Sequence, residues 1–128
     1  MKQLDTDKFS DIVYEVLEEL KYEEILTNPS TESIFPCLEL HTPLKSTRKT
    51  DNGYPISILF QISITCWNEK QRKCMEMTDK VEEILQKYNF TRTNTSPSIK
   101  DEILKKYGIT ITFEVRYNSI TNSFEFIR

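Results

Sequence analysis

The stretch YPISILFQISITCW, residues 54–67, shows the clearest pattern of apolar and polar positions in the chain. Apolar side chains occupy every second position on one side of it: Ile56, Ile58, Phe60, Ile62, Ile64 and Cys66. This period of two predicts a β-strand with one buried face. At about 3.3 Å per residue such a strand is about 40 Å long. That is about the full width of a domain of this size. The strand is therefore longer than a small core needs, and we expect the surplus length to serve some further contact.

The N-terminal region predicts a helix with an acidic outer face. Its apolar residues recur three and four positions apart: Phe9, Ile12, Val13, Val16, Leu17 and Leu20. We expect this helix to run from about Thr6 to about Leu26, with Asp5 or Thr6 as its cap, and to stop before Asn28-Pro29. Residues 1–26 carry eight acids against three lysines, so the solvent side of the helix should be negatively charged.

A second helix should follow the long strand. Asn68 and Gln71 match the first and last positions of a capping box. A narrow apolar stripe continues to about Asn89 and consists of Cys74, Met77, Val81, Ile84, Leu85 and Tyr88. Phe90-Thr91-Arg92 starts a short extended piece, and the polar run TNTSPSIKDEILKKYG after it predicts a loop with a helical turn around Ile103 and Leu104.

Shorter alternating patterns predict three more strands, at 34–41, 109–117 and 124–127. The connection from Thr42 to Gly53 is almost entirely polar, so we expect a hairpin with an extended arm that does not pack on the core. The element order α-β-β-α-β-β predicts a single α+β domain over residues 1–128. Its expected form is a two-layer sandwich with two helices on one face of an antiparallel sheet and a long extended hairpin arm.

Composition argues against several kinds of site. The net charge of -3 and the pI of about 5.3 disfavour a dedicated nucleic-acid binder. Gly53 and Gly108 are the only glycines, which excludes a glycine-rich phosphate loop. One histidine and three cysteines without CxxC spacing predict neither a metal site, a cofactor nor a disulfide framework, and the cysteines should be buried. No apolar run resembles a secretion signal or a membrane span.

One pair of side chains offers catalytic chemistry. Glu39 and His41 lie two residues apart on a predicted strand, hence on one face, and could act as acid and base. The alternative is a surface histidine near a hairpin, because the sequence shows no other convergent group. Trp67 is expected to close the edge of the core. We therefore expect a protein without catalytic activity.

The order of these elements over nearly the whole chain resembles the tail terminator (tail completion, or tail-to-head joining) proteins of long-tailed bacteriophages and phage-tail-like particles. FPCLEL resembles the family's first strand, and ISILFQISITCW leads into a helix whose TDKVEEIL resembles the family's A-D-K-V-x-x-I-L. FTRTNTSP and the C-terminal ITITFEVRYNSITNSFEFIR resemble its closing elements, with Arg92, Arg116 and Tyr117 at matching positions. The first helix is more acidic here, and the final turn lacks glycine.

The resemblance implies a structural protein of the virion neck, assembled in the host cytoplasm. It implies a ring, commonly a hexamer, that caps the head-proximal end of the tail tube, ends its polymerisation and docks a head-connector or head-closure protein. DNA would pass through the lumen. Lys45, Arg48 and Lys49 are the expected contacts with a neighbouring copy or the tube. Arg92 and Arg116 are further candidates that could instead brace the sheet.

Three other interpretations also fit the sequence. The chain could be a different head-tail neck component, such as a head-closure or adaptor protein. It could be a small enzyme that uses Glu39 and His41, or a monomeric adaptor that binds a host protein.

Overall fold

A computed structural model describes residues 4–22, 24–26, 29–51 and 53–125. The fold is α+β: two helices pack on a mixed, mostly antiparallel, open sheet of eight strands. The helices are α1 (Thr6–Glu18) and α2 (Gln71–Gln86). The strands are β1 (Glu24–Leu26), β2 (Cys37–Leu40), β3 (Leu44–Asp51), β4 (Tyr54–Asn68), β5 (Thr91–Thr95), β6 (Ile99–Asp101), β7 (Lys106–Asn118) and β8 (Ser123–Glu125). Within the described ranges, no helix is long and apolar enough to cross a membrane.

Strand β4 is the centre of the sheet, as its pattern predicted. It pairs antiparallel with β7 from Ser57 to Asn68. On its other border, β3 pairs with its first half and β2 with its last residues. Strands β5, β6 and β8 pair with the far border of β7, and β1 pairs with β2. Most of the surplus length of β4 is therefore used inside the chain.

The core lies between the two helices and one face of β4 and β7. The alternation predicted for both strands is confirmed, because Ile58, Phe60 and Ile62 of β4 are at most 1% exposed and their partners in β7 are also buried. From α1, the fully buried ring of Phe9 stacks on Phe60 with 4.2 Å between centroids. Helix α2 adds Cys74, Met77, Val81, Ile84 and Leu85.

All three cysteines are free and buried, as predicted. Burial, with the nearby carboxylates of Glu24 and Glu39, raises the pKa of Cys37 to about 12. Burial also raises the pKa of Cys74 to about 11 and that of Cys66 well above its ordinary value. The three thiols are therefore protonated at neutral pH.

The first helix is shorter than the spacing predicted. It is capped by Asp5, whose side chain accepts a hydrogen bond from the backbone N–H of Lys8 at 2.8 Å, but it ends at Glu18 rather than near Leu26. Lys21 has a left-handed φ of 59°, which turns the chain away from the helix. Residues 24–26 then form β1, whose parallel pairing with β2 makes the sheet mixed rather than antiparallel. Asn28, expected just after the helix end, lies outside the described residues.

The predicted cap of the second helix is wrong. Asn68 is the last residue of β4, and its Oδ1 accepts a hydrogen bond from the N–H of Lys70 at 3.2 Å. The residue at the N-cap position is Lys70, whose side chain makes no capping hydrogen bond. The helix also ends at Gln86, slightly before the expected Asn89.

The predicted order α-β-β-α-β-β misses four strands. Most of the polar arm is strand β3, and the polar run after the second helix contains β6. The short extended piece expected to start at Phe90-Thr91-Arg92 is β5, which the predicted order did not count as a strand. A turn near Ile103 is confirmed, and the side chain of Asp101 accepts two of its backbone N–H groups. Edge strands that are polar on both sides show no alternation, so their sequences resemble loops. The predicted end of the last strand, residues 126–127, lies outside the described residues.

Candidate functional site

Strand β3 forms an exposed, basic border of the sheet. One of its borders pairs with β4, and the other has no strand partner among the described residues. Residues 44–50 are all exposed. Lys45 lies opposite Phe60 on the helix side, Lys49 lies opposite Ser57 on the other side, and Arg48 lies where the register shifts. We call Lys45, Arg48 and Lys49 the basic edge.

Helix α1 presents a surface of the opposite charge. Five exposed carboxylates lie on it or at its end: Asp7, Asp11, Glu15, Glu18 and Glu19. We call this set the acidic face. In the part of the chain that the structure describes, no ion pair involves the basic edge or the acidic face. Both surfaces are therefore open to charges from another molecule.

The other two candidate arginines do not join the basic edge. The side chain of Arg92, 20% exposed, lies 3.2 Å from Glu82 and 3.9 Å from Asp79, both on α2, and donates to Thr95 at 2.7 Å. It therefore braces β5 against the helix. Arg116 is partly buried on β7, and its Nε is buried without a hydrogen-bond partner among the described residues. Their role as contacts stays a prediction.

A cleft lies on the face of the sheet that carries no helix. Its volume is about 280 Å³. We call it the tryptophan cleft, and its lining includes Glu39, His41, Thr65, Trp67, Asp101 and Thr110. Strands β2, β4 and β7 supply four of these six residues, β6 supplies Asp101, and His41 directly follows β2. The pairing register places Glu39 beside Thr65 and Thr65 beside Thr110.

The candidate acid–base pair does lie in this cleft, but its geometry is not that of a catalytic relay. His41 Nε2 lies 2.8 Å from Thr65 Oγ1 and 3.9 Å from Glu39 Oε1, so one nitrogen faces both groups. A hydroxyl–histidine–carboxylate relay uses the two different ring nitrogens. Thr65 is also only 4% exposed, and its hydroxyl lies 2.7 Å from that of Thr110. The arrangement is a hydrogen-bonded network on the sheet surface.

The indole of Trp67 lies over Gly108 of β7 on the face of the sheet that carries no helix, rather than at the edge of the core as expected. Its Nε1–H donates to Glu39 Oε1 at 3.0 Å. A Cβ placed on Gly108, its partner in β7, would lie only 2.8 Å from Trp67 Cζ3. The indole can therefore rest on the strand only because residue 108 is a glycine.

Comparison with known proteins adds no family to this description. No protein-family model matches the sequence, and no curated protein matches it significantly. Among the described residues, no group of three side chains could hold a metal ion. The resemblance to tail terminators therefore stays a prediction.

Sequence reasoning missed Trp67 and Asp101 as members of a common cleft. The alternation along β4 was a usable signal for Trp67. Neighbouring side chains of a strand point to opposite faces of the sheet, so Trp67 must lie on the face away from the buried Cys66. No local signal pointed to Asp101, because β6 was expected to be part of a loop. The position of Gly108 beneath Trp67 depends on the pairing register of β4 and β7, two strands that are far apart in the sequence.

Proposed function

We propose that this chain is a structural subunit of a phage tail terminator ring. In this role it caps the head-proximal end of the tail tube, ends tube polymerisation and presents a docking surface to a head-connector or head-closure protein. The observation that carries the proposal is the exposed basic edge, on a strand border that no described residue pairs with, together with an acidic face elsewhere on the same body. The resemblance in element order supplies the biological setting: the virion neck, assembled in the host cytoplasm.

Two different surfaces on one subunit are what a ring of identical copies needs. When the basic edge of one copy meets the acidic face of the next, every copy uses both surfaces, and the assembly closes if the rotation per subunit permits. Opposite charges speed the encounter and disfavour the wrong surface pairs. A hexamer with a lumen for DNA is the form that the resemblance implies.

The free border of β3 also limits which partner can bind. Unpaired backbone N–H and C=O groups on a sheet edge can accept another chain. Cations and a register irregularity on such an edge discourage indiscriminate pairing. The basic edge therefore favours a partner that brings negative charge, and the acidic face of another copy meets this requirement.

The proposal is tested by mixing the chain with the tail-tube protein encoded beside it in its genome. Electron microscopy should show tubes with a ring at one end, and the tubes should stop growing. Tubes that elongate unimpeded while the chain stays in the supernatant would contradict the assignment. Binding only to the head connector would make it a different neck component.

A charge-swap experiment tests the surfaces themselves. Changing the basic edge to glutamate (K45E, R48E and K49E) should abolish ring formation, and so should D11K, E15K and E18K on α1. A mixture of the two variants should form rings again, because each variant then complements the other. The control replaces Arg72, Lys100 and Lys105, three exposed cations outside both surfaces, by glutamate and should leave assembly intact. If the mixture does not assemble, the basic edge and the acidic face do not form the contact between subunits of the ring.

A further inference from the structure

Glu39 has a mostly buried carboxylate that forms no ion pair with a lysine or arginine among the described residues. Its side chain is 13% exposed, and the hydrogen bond that the structure gives it comes from Trp67. His41, 3.9 Å from the same oxygen, carries charge only when protonated. Removing a carboxylate from water is costly unless a cation or several donors compensate it. The tryptophan cleft therefore holds negative charge that a positively charged ligand would compensate.

Trp67 gives the same cleft an aromatic wall. Gly108 and Glu39 fix the position of its indole, so little reorganisation is needed when a ligand arrives. An indole is the best aromatic partner for an organic cation. A cation in the cleft would be near both the ring and the carboxylate that holds it.

The other charged groups around the cleft do not neutralise Glu39. Of the described residues that line it, two are carboxylates and none is lysine or arginine. Asp101 uses one carboxylate oxygen for two backbone N–H groups of the following turn. Lys106, its partner in the sheet register, has its ammonium 3.9 Å from Glu69 and 5.1 Å from the ring centroid of Phe35, neither of which lines the cleft.

We propose that the tryptophan cleft binds an organic cation of the alkylguanidinium or alkylammonium type. The charge pairs with Glu39, and the alkyl or planar part packs against Trp67. A volume of about 280 Å³ suits one such head group with a short stem. A bare metal ion fits poorly, because several oxygen ligands would have to converge on it. A neutral sugar would leave the Glu39 charge uncompensated.

The test uses Trp67 as its own reporter, since it is the only tryptophan of the chain. Intrinsic fluorescence is recorded while butylguanidinium is added to the wild-type protein at constant ionic strength. We expect a saturable change. Butylurea has nearly the same shape without the charge, and it should bind about tenfold more weakly or worse.

Glu39→Gln removes the charge but keeps an oxygen that can accept the Trp67 N–H. It should weaken butylguanidinium binding about tenfold. The matched control is Glu114→Gln, a partly buried carboxylate on the same face of β7 but outside the cleft lining, which should bind like the wild type. Far-UV circular dichroism verifies that both variants are folded. If Glu39→Gln is unfolded, the comparison of butylguanidinium with butylurea on the wild-type protein decides whether the cleft selects a positive charge.

Three results would overturn the proposal: no saturation, equal affinity for butylurea, or tighter binding of methyl glucoside than of butylguanidinium. Sedimentation then separates two sources of the cation, both of which agree with the proposal. If butylguanidinium lowers the apparent mass of the protein, the natural cation is a side chain of another copy. If the mass is unchanged, it is a small amine. The charge-swap experiment does not involve Glu39, so a negative result here leaves the proposed ring untouched.

Discussion

Replacing Gly108 by alanine tests whether Trp67 is held flat on β7. The new Cβ would lie 2.8 Å from Cζ3 and 3.0 Å from Cε3 and Cη2 of the indole, far inside the ordinary separation of about 3.5–4.0 Å between carbon atoms. The ring is rigid and is bonded through its N–H to Glu39, so either the strand must move or that hydrogen bond must break.

The cost can be estimated from these contacts. Overpacking of this kind costs about 1–3 kcal/mol, and losing a hydrogen bond to a charged group costs about 1.5–3 kcal/mol. Gly108 lies outside the left-handed region, so alanine itself would return about 0.4–1 kcal/mol by restricting the unfolded chain. We therefore expect Gly108→Ala to lower the free energy of unfolding by a net of about 0.5–2.5 kcal/mol.

The effect should change sign when the indole is absent. In a Trp67→Ala background, Gly108→Ala should stabilise the protein by about 0.5–1 kcal/mol. Urea unfolding followed by far-UV circular dichroism gives all four corners of the double-mutant cycle. As a control, Gly53→Ala, at a φ of 79°, should cost about 1–2 kcal/mol in both backgrounds. If Gly108→Ala has the same effect with and without the indole, our description of the cleft is wrong.

Packing, ion pairs and thiol burial give three more predictions. Phe9→Ala should lower the free energy of unfolding by about 3–5 kcal/mol, because the Phe9 ring is fully buried. Tyr14→Ala, on an exposed part of α1, should lower it by less than about 1 kcal/mol. Equal losses for the two variants in urea titrations would refute the packing of Phe9 in the core. Arg92→Met should lower the free energy of unfolding by about 1 kcal/mol, and by less in high salt, because the ion pair of Arg92 with Glu82 is partly exposed. If the variant instead loses self-association in sedimentation, Arg92 is an interface residue. Between pH 8 and pH 10 the free energy of unfolding should fall by at least about 2 kcal/mol, because the cysteine thiols ionise near pH 8.5 only in the unfolded chain. The stability due to these raised pKa values is complete below pH 8.5 and is lost as the pH approaches 11–12; unchanged urea midpoints, or rapid thiol labelling of the native protein at pH 8, would contradict their burial.

The parts of the fold with one buried face could be predicted from the sequence. Side chains such as Ile62 in β4 and Phe113 in β7 alternate with polar ones because a core lies on one side only. The stripe through Phe9 identified α1 for the same reason. Its C-terminal end was predicted wrongly, because Pro29 is the first helix-breaking residue in the sequence. The earlier turn at Lys21 and the pairing of Ile25 and Leu26 with β2 have no such local signal. Tertiary pairing overrides local propensity at such places.

The polar edge strands could not be predicted in this way. Strands β3, β5 and β6 are largely exposed, and their positions depend on pairing with β4 or β7 rather than on their own apolar residues. The sequence did bring Lys45, Arg48 and Lys49 into one polar segment, but whether that segment is a loop or a strand border depends on distant partners. The ion pairs of Arg92 depend in the same way on the packing of α2.

The register between β4 and β7 has a consequence for folding kinetics. Asn68 and Tyr107 at one end of this pairing are separated by about 40 residues, and Ser57 and Asn118 at the other end by about 60. Closing the shorter loop loses less chain entropy, so we expect the two strands to zip from the α2 end towards the β3 hairpin. So many non-local contacts place folding in the range of milliseconds to seconds. The β3–β4 hairpin needs no such distant closure, because its innermost partners, Asp51 and Tyr54, are three residues apart. The basic edge can therefore order early in a newly made chain, before the surface that holds Trp67.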